Sequence, residues 1–311
     1  MSRTRLPKRV VVEARAKLNL GLAVGPKRPD GYHDLVTVFQ SISLADTLTA
    51  ERTARGFSVR VRHEAAAIHG RVITDRALVP AGADNLVLRA ARLLHDDLAL
   101  PGGVRFTLTK RIPAQAGMGG GSADAAAALH AVLALHGKRV PLAVRLRYAL
   151  QLGSDVPFSI YGGTALGQGR GEILSRLQLV SPFRALIAMP KWRVSTRDAF
   201  QRHDASRNGL TGWEHHRRFA VTVGRQRVEA LKLSRRGNRF EALLGSQQHD
   251  LDSLRARLRA AGLLEPRLTG SGSAVFGIVP GGVSIRDVVA RFTGDEPLYA
   301  VRSVGKGLRL L

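Results

Sequence analysis

The 311-residue chain has no cysteine, so disulfides and thiolate chemistry are excluded. Aromatic residues make up only 5% of it, too few for a base-stacking platform along single-stranded nucleic acid. No apolar run approaches the ~18 residues that a membrane-crossing helix requires. The basic start Met1-Ser2-Arg3-Thr4-Arg5 meets no apolar segment before Glu13, so no secretory signal is expected and a cytoplasmic location is the default. Acid is also scarce. Against 48 Lys and Arg stand 24 Asp and Glu, a net charge of +24. That balance suits polyanions in general: nucleotides, phosphorylated metabolites, RNA or an anionic surface. It is equally what a solvated, arginine-rich surface gives. Hydrophobic content of 44% is ordinary for a globular protein, and the length allows one large or two modest domains.

Glycine is what the chain concentrates. Pro113-Ala114-Gln115-Ala116-Gly117-Met118-Gly119-Gly120-Gly121-Ser122-Ala123-Asp124 packs four glycines into five residues, and alanines follow. Upstream, Val104 to Thr109 alternates apolar and polar and predicts a strand. The alanines predict a helix, with Ser122 as its N-cap and Asp124 in the first turn, where the dipole favours a negative side chain. Strand, glycine loop and helix N-terminus together offer converging backbone N–H groups to a phosphate. A tight turn packed on a sheet fits the same letters. No Gly-Lys-Ser/Thr follows, so this is not a Walker A loop. Lys138 and Arg139 occupy the region where a dinucleotide fingerprint needs an acid.

In chain order, Val12 to Leu22 alternates. Ala14, Ala16, Leu18, Leu20 and Leu22 share one face, and Glu13, Arg15, Lys17, Asn19 and Gly21 the other. This predicts a half-exposed strand; Lys17 and Asn19 could instead line a site. Pro29-Asp30-Gly31 predicts a turn, followed by Tyr32-His33 and a strand from about Leu35 to Leu44. Another strand is expected near Phe57–Val61. Asp84-Asn85 caps a helix from Leu86 to about His95. Lys110-Arg111 precedes the glycine loop. A helix from Pro141 to Leu152 ends at Gly153. Ser154-Asp155-Val156-Pro157-Phe158 follows, where a lone aspartate reads as a turn former or, in a cleft, as a base. Tyr161 to Glu172 is a glycine-dense hairpin, and Arg184–Met189 a strand. Ser195-Thr196-Arg197-Asp198 opens a helix with a capping-box-like start. Phe240 to Ala261 reads as helix with a central break, and Leu268 to Val279 as strand, small-residue turn, strand. Ile285–Phe292 is a helix and Tyr299–Val304 the final strand. The domain boundary is expected near Leu174–Pro182, dividing the chain into 1–178 and 179–311. Between Gln201 and Phe240 ten Lys or Arg face three Asp or Glu, which predicts a solvated basic surface. The adjacent His215 and His216 do not make a zinc site.

Four segments in order resemble the 4-diphosphocytidyl-2-C-methyl-D-erythritol kinase family of the galactokinase, homoserine kinase, mevalonate kinase and phosphomevalonate kinase (GHMP) superfamily. They are Ala16-Lys17-Leu18-Asn19-Leu20 with Asp30-Gly31-Tyr32-His33, Gly117 to Ala126, Gly153 to Phe158, and Thr269-Gly270-Ser271-Gly272-Ser273-Ala274-Val275-Phe276. The resemblance covers about residues 10–200 and 265–280. It implies an α+β fold in two domains, one like domain 2 of ribosomal protein S5 and one ferredoxin-like, with the site between them. It implies an ATP-dependent small-molecule kinase with Mg2+ between the phosphates and no metal-ligating side chain assigned. Lys17 and Asp155 would be catalytic. Asn85, Lys110, Pro113, Gly117, Met118, Gly119, Gly120, Gly121, Ser122 and Ala123 would bind the nucleotide. Tyr32 and Phe200 would sandwich a cytosine, His33 would read its polar edge, and Asn19 and Thr196 would line the substrate pocket. The implied partner is the small-molecule substrate, with neither membrane nor nucleic acid. Ser122-Ala123 stands where the family often has two serines, and Asn238-Arg239-Phe240-Glu241 where it usually has Asn-Asp. Another acceptor within the superfamily, or an RNA-binding protein on the same scaffold, are the alternatives.

Overall fold

The computed structural model describes residues 6–70, 79–80, 82–206, 213, 217–218, 220 and 227–311. His215 and His216 lie outside them, as does much of the basic run. Among the described residues the fold is α+β, with two sheets and helices packed on them. The strands are β1 (Arg9–Lys27), β2 (His33–Thr53), β3 (Phe57–His63), β4 (Gly103–Lys110), β5 (Thr164–Gln168), β6 (Ile173–Leu179), β7 (Arg184–Ala188), β8 (Arg227–Val228), β9 (Leu264–Leu268), β10 (Val275–Val279), β11 (Leu298–Arg302) and β12 (Leu308–Leu310). An eight-stranded sheet runs β12-β1-β2-β5-β6-β8, with β4 also on β2 and β3 on β4. A four-stranded antiparallel sheet runs β11-β7-β10-β9. The strands of the large sheet reach Leu179 and those of the small one begin at Arg184, but β8 and β12 return to the large sheet.

The long β1–β2 hairpin is the frame. Its strands are 19 and 21 residues, far longer than the alternating stretches suggested. The far half of β2 pairs with β4 over Thr47 to Thr53, the near half with β5 over Thr37 to Gln40. One strand therefore serves both ends of the sheet. β1 is not half-exposed as expected: Lys17 and Asn19 are 6% and 4% exposed, because protein covers both faces here. Its register with β2 shifts between Arg15 and Lys17 and between Asn19 and Gly21. Such bulges re-aim side chains and free backbone groups. β12 was not anticipated, since three residues carry too little pattern; Ala14 of β1 pairs with its Leu308.

Four helices back the large sheet: α1 (Leu86–Leu98), α2 (Gly120–Leu135), α3 (Leu142–Leu152) and α4 (Val156–Tyr161). α2 is buried nearly all round, and its alanines let it pack closely against β1 and α1. It begins two residues before the expected Ser122. Gly119, at φ +70°, turns the chain as N-cap, and Ala123 N–H donates to Gly119 C=O as the first helical bond. The N–H groups of Gly120, Gly121 and Ser122 consequently have no intrahelical acceptor.

The turn between β9 and β10 packs directly on the glycine loop. A Cβ at Gly117, whose φ is +73°, would lie 2.1 Å from Thr269 O. Ala274 N–H donates to Ala116 O at 3.3 Å, and Asn19 N–H to Thr269 Oγ1 at 3.0 Å. Asn238 steadies that turn: its amide donates to Leu268 O and Gly270 O, while Glu241 accepts from Leu268 N–H. Gly117→Ala is expected to destabilise by more than the about 1–2 kcal/mol of a left-handed alanine alone, read as a lower midpoint in denaturant unfolding. An unchanged midpoint would mean that the two loops do not touch in solution.

Candidate active site

The glycine loop, the Lys17 and Asn19 stretch of β1, the start of α4 and the helix α5 (Thr196–Ala205) enclose a cleft of about 1160 Å³. Of the residues singled out from sequence, Lys17, Asn19, Tyr32, His33, Asn85, Lys110, Pro113, Gly117 to Ser122, Asp155, Thr196 and Phe200 all line it. Ala123 does not; it is fully buried in the core under α2.

At the centre Lys17 Nζ lies 3.7 Å from Asp155 Oδ2. On the edge of β1 away from β2 the Lys17 N–H donates to Met118 O at 3.0 Å, which ties the strand to the loop. Gly119 leaves room for the lysine stem, since a Cβ there would stand 3.2 Å from Lys17 Cγ and 3.9 Å from Asp155 Oδ2. Lys17 Nζ donates to Asn19 Oδ1 at 2.5 Å, Asn19 Nδ2 to Thr37 Oγ1 at 2.7 Å, and Thr37 to Gly21 O at 2.8 Å. Every member of that chain is buried, so the ammonium is held by Asn19 while it faces Asp155. Burial pulls Lys17 below the ordinary lysine range, and Asp155 opposes that pull without cancelling it. The Asp155 side chain remains 35% exposed. It caps no N–H of α4, and Phe158, one turn on, stacks on Phe39 at 4.7 Å to pin that helix.

Asn85 does cap α1, accepting from Val87 N–H at 2.9 Å and donating to Pro80 O at 2.5 Å, so its amide is already committed. Lys110 is committed too. Its Nζ donates to Asp46, and to Asp124 Oδ2 at 2.6 Å, all three buried. Asp124 is therefore turned toward Lys110 rather than capping the dipole as expected. Asp46 also accepts from the N–H groups of Arg111 and Ile112, at 2.5 and 2.9 Å. Burial depresses the lysine, but the two carboxylates outweigh it and hold Lys110 above the usual range. Burial is also the main force on Asp124; with Asp46 beside it and Lys110 opposing, its carboxyl is pushed up to about 8. Asp46, far upstream on β2, carries no signal that the sequence could have offered.

On the other side of the cleft, His33 stacks on Phe200 at 5.1 Å and Phe200 meets Phe240 edge-on. Tyr32 is 53% exposed, with the Arg170 guanidinium 4.4 Å from its ring centroid. Thr196 Oγ1 and Ser271 Oγ are 3.0 Å apart, joining α5 to the β9–β10 turn. Asp204, at the head of what the sequence suggested was a solvated basic surface, lines the cleft and meets His33.

The raised Asp124 has a consequence for stability. Between about pH 4 and pH 8 the folded chain keeps a proton that the unfolded chain has released. Stability must then fall as pH rises through that window. Asp124→Asn should flatten the decline, with the melting temperature of the variant changing less than wild type from pH 5 to pH 8. Parallel curves would show that Asp124 ionises normally in the fold.

The GHMP kinases N terminal domain family matches residues 85–163. The chain is 38% identical to the 4-diphosphocytidyl-2-C-methyl-D-erythritol kinase of Moorella thermoacetica, over 93% of this chain and 96% of that protein. It is 36% identical to that of Solibacter usitatus, over 95% and 89%. Among solved structures, a 4-(cytidine 5'-diphospho)-2C-methyl-D-erythritol kinase superposes with a TM-score of 0.72 at 34% identity, over 95% of this chain and 99% of that one. A homoserine kinase from Cytophaga hutchinsonii reaches the same TM-score at 16% identity, over 100% of each chain, which speaks for the fold alone. The matched length covers most of the chain, well beyond the segments matched by motif. The protein is an ATP-dependent small-molecule kinase with the GHMP fold. It belongs to the 4-diphosphocytidyl-2-C-methyl-D-erythritol kinase family.

Proposed function

We propose that the chain transfers the γ-phosphoryl group of ATP to the 2-hydroxyl of 4-diphosphocytidyl-2-C-methyl-D-erythritol, a step in non-mevalonate isoprenoid precursor biosynthesis. The observation that carries this reading is the facing pair Lys17 and Asp155 beside the glycine loop. A tertiary alcohol is hindered and weakly acidic. Asp155 accepts its proton as the oxygen attacks, and Lys17, aimed by Asn19, offsets the charge that develops on the transferring group. The unbonded N–H groups of Gly120, Gly121 and Ser122 cradle the triphosphate. Holding the two substrates in line supplies most of the remaining acceleration.

Mg2+ fits a site of this chemistry. Among the described residues no group of three His, Cys, Asp or Glu side chains could cage a metal. Mg2+ favours phosphate and water oxygens with few protein ligands, and the half-buried Ser122 hydroxyl, at the start of α2 in the cleft lining, is a side-chain oxygen suited to it. Bound there, it would neutralise phosphate charge. Tyr32, His33 and Phe200 give the base its aromatic surroundings, with Thr196 and Asn19 toward the sugar-alcohol end. No described helix is long and apolar enough to cross a membrane, and the reading places the reaction in the cytoplasm, where ATP is supplied.

Asp155→Asn should cut kcat by roughly 10²–10⁴-fold while ATP affinity, read by calorimetry, stays close to wild type. The assay is ATP consumption with the cytidyl substrate, beside mevalonate and homoserine as controls. Near-normal turnover in the variant would remove Asp155 from the base role, and preference for a control acceptor would sink the substrate assignment. Because Lys17 works as a cation and burial lowers its pKa, activity should fall on the alkaline side earlier than an ordinary lysine allows. Lys17→Arg should carry that limb to higher pH at reduced rate. An unmoved limb would assign it to another group.

A further inference from the structure

Asp204 occupies the last turn of α5, one turn beyond Phe200. Its carboxylate bridges the two ends of the β1–β2 connection. Oδ2 accepts from Lys27 Nζ at 2.9 Å, and Oδ1 lies 2.6 Å from His33 Nε2. The bond from Lys27, with a smaller contribution from His33, holds Asp204 below the usual carboxylate range even against its desolvation. An ionised carboxylate only accepts, so the hydrogen in this contact sits on His33 Nε2. In the neutral ring Nδ1 then carries a lone pair.

The ring has little freedom to do otherwise. Phe200 stacks on one face, with planes 26° apart, and His203 stands edge-on at 5.2 Å. His203 is itself occupied, donating Nε2–H to Gly25 O at 3.2 Å and accepting from Arg239 Nε at 3.4 Å. Among the described residues His33 Nδ1 has no hydrogen-bond partner, and His33 lines the cleft.

We propose that Asp204 is a positioning residue for base selection. By holding His33 as the Nε2–H tautomer it leaves Nδ1 as an acceptor for the exocyclic amine of an aminopyrimidine, so the site takes cytosine and refuses uracil. Uracil presents a carbonyl where cytosine presents that amine, and two lone pairs would then face each other in a confined site. This rests on the cytidyl reading above and adds to it the group that makes the imidazole selective. Asp204 does not touch the reacting atoms. Its effect is confined to which base the nucleoside diphosphate carries.

The test compares kcat/KM for the cytidyl and uridyl forms of the diphosphate methylerythritol substrate. Asp204→Asn offers an amide that can donate to Nε2 and so move the ring proton to Nδ1. The cytidyl preference should fall by roughly 5- to 150-fold, the equivalent of one buried group left unpaired. The change should lie in the KM of the pyrimidine substrate, with kcat and the KM for ATP nearly constant. Lys27→Met breaks the other arm of the bridge and leaves Asp204 on His33, so it should retain the preference. If Asp204 only latched α5 to β1, both variants would lose affinity for both substrates alike, and the proposal fails. Nitrogen-15 histidine spectra, with His33 assigned through His33→Gln, give a readout independent of turnover. They should show Nε2–H in wild type, and Nδ1–H there would overturn the proposal. A wild-type enzyme that phosphorylates neither substrate would instead defeat the functional reading, and the spectra would still decide the Asp204–His33 link.

Discussion

The site depends on the edge of β1 that faces away from β2. The N–H groups of Arg15, Lys17 and Asn19, two residues apart along the strand, leave by that edge and donate to Gly307 O, Met118 O and Thr269 Oγ1. The middle bond, with that of Ala274 N–H to Ala116 O, holds the glycine loop against the sheet edge. On the same stretch the buried Lys17 side chain donates to Asn19, which in turn donates to Thr37. An ammonium stripped of water is costly, and the structure meets the cost with a neutral amide, a nearby carboxylate and the Phe39 ring 5.6 Å away. Burial lowers the pKa of the lysine and the carboxylate opposes that pull, which suits a group meant to meet a phosphoryl in transfer.

Two buried lysines line the cleft and they are built differently. Lys110 is saturated by Asp46 and Asp124, so its charge is spent inside the protein and it props the floor beneath Gly120. Lys17 has a single carboxylate at 3.7 Å and keeps charge to offer. A net charge of +24 therefore says little about the cleft itself. What matters is which cations are left unspent, and the interior carboxylates decide that.

The glycine loop, the α2 helix and the hairpins were legible because each makes a local demand: positive φ, helix propensity, turn chemistry. Lys17 and Asp155 were legible only as motifs. Their meeting is a tertiary fact that no spacing encodes, and an alternating strand with a lysine in it reads as half-exposed whichever sheet face is later covered. Ser122 misled as an N-cap because hydroxyl preference at caps is weaker than a glycine already turned to φ +70°. Asp124 misled in the same way, since a buried lysine outweighs a dipole. Asp46 and Asp204 were invisible, one inside a plain β-strand and the other heading an arginine-rich run.

β12 closes the outer edge of β1, with Val12, Glu13 and Ala14 facing Leu310, Arg309 and Leu308. During synthesis that edge has no neighbour until residues near 310 leave the ribosome, so the strand bearing the site lysine is made long before its partner on that side. Exposed edges of this kind invite pairing with other chains. Glu13 and Arg15, with Arg9 ahead of them, place charge along it, and charge on an edge strand works against such pairing.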